Sequence, residues 1–263
     1  MTEPGGRVGS RAATHIPPER HKSPYKYSLP SREKPYTLRP WPRSPLDDGE
    51  QGHQRWFAAL IAADAPCSQT ELASLVGVSQ PRVFEVLTQL AQKSAISARS
   101  DGYVGKPPKL LDLYVTNHRP ALVGPEAPWY GLEPMREQTE QLCAHAKRSG
   151  ARVAISADLA PDLLAPWRHP TLTVVYTDAA LDLTEVGFVP AEGRVDATML
   201  VRYASDTTLL APFEPWPREA DGIPLTDPTQ QVWDLHDLGG SDRAEAANRL
   251  RRRIIDRAIE TAK

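Results

Sequence analysis

Apolar positions first fall into a regular pattern near His53. Trp56, Phe57, Leu60 and Ile61 recur at i, i+1, i+4 and i+5, one stripe of a helix that Pro66 closes. A second helix is expected from Gln69, with Leu72, Ala73 and Val76 inward and Ser68 as its N-cap. Gly77 breaks it. Ser79 then caps a third helix with Pro81 in its first turn, where a missing N–H costs nothing. Val83, Val86, Leu87 and Leu90 form that helix's apolar stripe. The run AISARSDGYV follows, two short strand-like pieces around Asp101-Gly102, a strong hairpin signal.

Three helices and a hairpin, with a short second helix and a glycine turn, are the parts of a winged helix-turn-helix. In QTELASLVGVSQPRVFEVLTQL, Ala73 is small where two helices must cross closely, Gly77 permits the turn, and Val78 plugs the gap between helices. The expected fold class is therefore α+β: an N-terminal winged helix-turn-helix followed by a mixed α/β C-terminal domain. The pattern divides the chain into a disordered or extended Pro/Arg-rich arm (1–50), the winged helix (51–106), a linker (107–134) and an α/β domain (135–263). In the rear part, helices are expected over 134–149, 227–238 and 242–262, and strands over 152–156, 172–177 and 195–203.

Charge adds a direction to this layout. The chain's net charge is −2, yet residues 1–50 carry nine Lys/Arg against six Asp/Glu, and residues 125–263 carry fifteen against twenty-two. A basic front suits a polyanion and an acidic rear does not. The front also interleaves Tyr25, Tyr27, Tyr36 and Trp41 with its bases, which fits stacking on nucleobases or a solvated arm. No apolar run approaches the ~18 residues of a membrane span, and the N-terminus lacks a signal peptide's apolar stretch, so a soluble cytoplasmic protein without membrane contact is expected. Cys67 and Cys143, without a C-x-x-C, are expected as reduced thiols.

The third helix carries the expected chemistry. Its outer face presents Pro81, Arg82, Glu85, Thr88, Gln89 and Gln92. Ser79, Gln80 and Arg82, at the end that reaches base edges, are the leading readers of double-stranded DNA, since Arg pairs with guanine and Gln with adenine. Glu85 and Gln89 complete that face, and Arg99 and Lys106 flank the hairpin where phosphates would lie. No catalytic residue, metal site or cofactor is expected. Gly239-Gly240-Ser241-Asp242 resembles a nucleotidyltransferase start, but no strand with paired carboxylates follows, so a helix end and the N-cap of the next helix account for it. His145, His169 and His236 lack ligand spacing, and Arg249, Arg251, Arg252 and Arg253 read as a solvated face opposite Ala247, Leu250, Ile254 and Ala258.

The segments Ser156-Ala157-Asp158-Leu159-Ala160, Leu164-Ala165-Pro166-Trp167, Leu172–Thr177, Asp227-Pro228-Thr229-Gln230-Gln231-Val232-Trp233-Asp234-Leu235, Gly239-Gly240 and Glu245-Ala246-Ala247 resemble the AbiEi family. These are antitoxins of type IV toxin–antitoxin systems, and the similarity is to the winged-helix form found in actinobacteria, over residues 52–263. It implies a non-enzymatic repressor that binds inverted repeats in its own operon and opposes a nucleotidyltransferase-like toxin. The long Pro/Arg-rich front departs from that family's short N-terminus. Two other readings stay open on the residues alone: a ligand-responsive winged-helix regulator without a toxin partner, and an enzyme tethered to DNA.

Overall fold

A computed structural model of the chain describes residues 52–117, 125–167, 169–204 and 207–261. The expected N-terminal arm lies outside the described residues. The described part is a mixed α and β structure. It opens with α1 (Gly52–Ala62), α2 (Gln69–Val76) and α3 (Gln80–Gln92), then an antiparallel hairpin of β1 (Ile96–Arg99) and β2 (Gly102–Gly105). Trp56, Leu60, Leu72, Val76, Val83, Val86, Leu87 and Leu90 are buried together, the stripes that the spacing predicts. Fully burying each such side chain favours folding by roughly 1.5–3 kcal/mol.

The stretch expected as a linker is structured at both ends, which corrects that expectation. Pro107–Asn117 is a helix, α4, and Glu126–Tyr130 is a strand, β3. Prolines at the first turn of α4 are compatible with a helix because the first amides have no helical acceptor. Leu110, Leu111 and Tyr114 are buried on its inner face.

A five-stranded sheet with order β4–β5–β7–β3–β6 follows, built from β4 (Val153–Ile155), β5 (Thr173–Thr177), β7 (Met199–Tyr203), β3 and β6 (Val189–Pro190). β5 and β7 run parallel and the other pairs antiparallel. Both faces are covered, so alternate residues join different cores. Val174, Tyr176 and Leu200 belong to the core with α7 (Pro228–Leu238) and α8 (Ser241–Thr261). Val175, Met199 and Val201 pack with Leu142 and Ala146 of α5 (Met135–Ser149). That explains why β5 is buried at every position. A short helix, α6 (Leu159–Leu164), two 3-10 helices (Leu183–Val186 and Thr207–Leu210) and a small hairpin of β8 (Glu219–Ala220) and β9 (Ile223–Pro224) complete the described elements. Among the described residues no helix is long and apolar enough to cross a membrane.

Candidate nucleic-acid interface

α2 is held at both ends. Ser68 accepts the Glu71 amide N–H at 3.2 Å while the Glu71 carboxylate accepts the Ser68 N–H at 2.7 Å, a complete capping box. Hydrogen bonding of the carboxylate by the Ser68 backbone N–H, and then by its side chain, holds the Glu71 carboxyl below its ordinary value. At the other end Gly77 takes φ +75°, and its N–H and that of Val78 both donate to the Ala73 carbonyl. The left-handed backbone is the reason for glycine here. Arg55 of α1 donates to the Val76 carbonyl at 2.7 Å, fixing α1 to the same turn.

The chain then enters α3 through Ser79, extended at φ −74°, ψ 150°. Its position is that of an N-cap, as expected, but its hydroxyl makes no capping bond. On the outer face Gln80, Glu85 and Gln89 are exposed and Arg82 is half-buried. Two of these groups already have partners within the protein: Gln80 Nε2 donates to Thr70 Oγ1 at 2.8 Å, and Arg82 Nη1 to Glu85 Oε2 at 2.8 Å. An exposed i,i+3 pair of this kind is worth little, about 0.2–0.5 kcal/mol, so a phosphate or a base edge can displace it.

The hairpin is locked to the helices by its backbone. Cys67 and Tyr103 exchange N–H···O bonds of 3.0 and 2.9 Å, and Gln69 Nε2 donates to the Tyr103 hydroxyl at 3.1 Å. Gly102 lies so close to Cys67 that a Cβ there would stand 2.7 Å from its carbonyl. Arg99 and Lys106 are both exposed, yet they occupy opposite ends of the hairpin. The four residues from Gly102 to Lys106 separate them by about 13 Å along the strand. The structure thus brings Ser79, Gln80, Arg82, Glu85 and Gln89 onto one helix face and leaves Arg99 and Lys106 as two separate cationic points.

One outward residue escaped the sequence reading. Phe84 is 59% exposed in the middle of the α3 outer face. Its signal was an apolar residue off the 83/86/87/90 stripe.

The rear part holds a second constellation, and it is buried. Arg202 of β7 reaches Asp234 and Asp237 of α7 and, at 2.9 Å, Glu126 of β3. Asp234 also accepts from the Ser156 hydroxyl, from the Tyr176 hydroxyl at 2.8 Å and from Gln230 at 3.2 Å, and Tyr114 of α4 donates to Gln230. Burial pushes the Asp234 carboxyl up, and the Arg202 charge with the bonds from Ser156, Tyr176 and Gln230 only partly pulls it back. Burial alone would lower Arg202, but the Asp234 charge and the bonds to Tyr176 and Glu126 outweigh it. A lone arginine in the apolar strand MLVRY was the available signal.

Asp158 makes a second buried ion pair, accepting from Arg243 at 2.8 and 3.0 Å and from the Thr171 and Leu172 amides. Asp227 caps α7 by accepting the Thr229 N–H at 2.9 Å. Both carboxylate oxygens of Asp158, Asp227 and Asp234 accept hydrogen bonds inside the fold, as expected of structural polar networks. Residues quoted for the family resemblance, Ser156, Asp158, Asp227, Gln230 and Asp234 among them, hold the fold together rather than forming an open site.

The remaining expectations fall as follows. Gly239 and Gly240 have φ +70° and +92° and form the turn into α8, which begins at Ser241; Ser241 is therefore the first helical residue, not the cap. His145 is buried, with Nδ1 4.0 Å from Glu185, and His236 is lowered by burial and by Arg251. Both cysteines are free thiols, and burial, aided by the Glu140 charge, pushes Cys143 up to about 11. The α8 arginines are more engaged than a solvated face would be. Arg249 stacks 3.7 Å over the Trp167 ring, and Arg251 bonds Asp112 and the Pro108 carbonyl of α4 at 2.7 and 3.0 Å. Among the described residues no group of three or more His, Cys, Asp or Glu is placed to hold a metal ion.

No protein-family model matches the chain, and no curated protein matches it.

Proposed function

We propose that residues 52–106 are a winged helix-turn-helix that binds double-stranded DNA through the outer face of α3 and the hairpin. The observation that carries this reading is the α2–Gly77–α3 turn with the hairpin bonded back to Cys67. It offers a helix whose N-terminal half exposes Ser79, Gln80, Pro81, Phe84 and Glu85, a shape that fits entry into a major groove. Gln80, Arg82 and Gln89 supply donors and acceptors for base edges, Ser79 a hydroxyl for phosphate or base, and Arg99 and Lys106 cations for the backbone.

The rear part carries the proposal's second half, a role as antitoxin and repressor of its own operon. Residues 125–263 carry fifteen Lys/Arg against twenty-two Asp/Glu, a poor match to DNA and a good one to a basic protein. One sheet edge offers a contact surface. Tyr130 and Val189 are exposed there, beside Glu192 and Asp196. Apolar contact with an acidic rim fits a partner that presents an apolar knob among lysines and arginines. A nucleotidyltransferase-like toxin is the partner that the resemblance implies.

Titration of the full chain against a duplex selected from a random library tests the DNA reading. Arg82→Ala should weaken binding by about 1–3 kcal/mol and relax preference at one base pair if Arg82 reads guanine. Equal losses on selected and scrambled DNA would reduce Arg82 to a phosphate contact. Absence of duplex binding by the unaltered chain would overturn the function.

A further inference from the structure

One large apolar side chain stands on the exposed side of α3. Gln80, Phe84 and Thr88 stand at i, i+4 and i+8, one above the other on a single line of the helix. Gln80's side-chain amide is bonded to Thr70, and the Thr88 hydroxyl donates to the Phe84 carbonyl at 2.7 Å. That bond engages the Thr88 hydroxyl with its own helix. Phe84 is the large apolar side chain that α3 leaves to solvent, while Val83, Val86, Leu87 and Leu90 fill the core. Among the described residues Phe84 belongs to neither apolar cluster of the fold.

Major-groove base edges are hydrogen-bonding surfaces with one apolar exception, the C5 methyl of thymine. An aromatic ring held at the middle of a groove-facing helix meets polar edges at a desolvation cost and meets that methyl with a gain. We infer that Phe84, with the Thr88 methyl behind it, is a specificity-determining residue that selects thymine in the bound duplex. This inference rests on the proposed DNA-binding face and assigns it a base.

The test uses the full chain and a duplex selected from a random library. Thymines in the selected site are replaced one at a time by deoxyuridine, which removes the C5 methyl and nothing else. The wild-type chain should lose about fourfold in affinity at one or two positions, the equivalent of ~0.8 kcal/mol for each buried carbon lost. Phe84→Ala should bind the thymine site more weakly and show no further loss with deoxyuridine, and Phe84→Leu should retain part of the sensitivity. Phe84 is exposed, so both variants should keep the wild-type melting curve.

Selective duplex binding that is indifferent to every deoxyuridine substitution overturns the inference and leaves the DNA reading standing. A deoxyuridine effect that persists unchanged in Phe84→Ala assigns the methyl contact to another residue and also overturns it. Loss of self-association in Phe84→Ala, with DNA affinity unchanged, makes the face a contact between copies of the chain and overturns it too. Failure of the wild-type chain to bind duplex DNA removes the DNA reading itself.

Discussion

Arg202 is 1% exposed and Asp234 fully buried, so their charges persist only because they hold one another among Tyr176, Gln230, Asp237 and Glu126. Removing one partner strands the other in a medium that cannot solvate it. Arg202→Met should cost about 3–5 kcal/mol in a urea titration at neutral pH. The pH dependence has a definite sign. Burial already sets the Asp234 carboxyl above its ordinary value of 3.8, so the folded state favours its protonated form. A carboxyl raised in this way supports folding below its unfolded value and loses that support as pH rises through the folded one. The Arg202→Met deficit should therefore shrink as the solution is acidified; a deficit independent of pH would mean that lost packing, not a stranded charge, is its cause. Residues like these are hard to read in a sequence because their partners arrive from β3, β7, α4 and α7, far apart along the chain. By contrast the Ser68–Glu71 box and the Gly77 turn are local, and the spacing alone places them.

At the scale of elements, the proposed DNA-binding face of α3 carries an acid that would oppose a polyanion. Glu85 holds Arg82 at 2.8 Å and would face phosphates or bases in a groove. Glu85→Gln releases Arg82 and removes one negative charge. Fluorescence anisotropy should show tighter duplex binding, with the slope of log K against log salt steeper by about one ion. Weaker binding to the selected duplex alone would instead show that Glu85 accepts a hydrogen bond from cytosine N4.

The elements α1 to α3 and the hairpin were legible because each has its own periodicity and punctuation. α4 and β3 were not. Pro107 and Pro108 read as loop but occupy the first helical turn, and Pro128 lies in a strand paired on both sides, where its carbonyl accepts the Ala191 N–H at 3.0 Å. Sheet pairing and burial outweighed local propensity at these positions.

Over the whole molecule, α4 is the piece that ties front to rear. Leu110 and Leu111 are fully buried in one apolar cluster that runs from Trp56 and Leu72 to Val232, Leu250 and Ile254. Tyr114 bonds Gln230 of α7, and Arg251 of α8 bonds Asp112. Residues 43–263 accordingly cluster as one compact unit, and a break at residue 125 would separate α4 from the surfaces of α7 and α8 that it covers. Arginines stand on two surfaces of this unit, the α3–hairpin face and α8, and the DNA reading depends on which one meets the duplex. Amide hydrogen exchange of the full chain, with and without a selected duplex, decides it. The account predicts added protection in the N-terminal half of α3 and in the hairpin over 96–105, with none on α8 over 249–253. Protection confined to α8, with α3 and the hairpin unchanged, would contradict it.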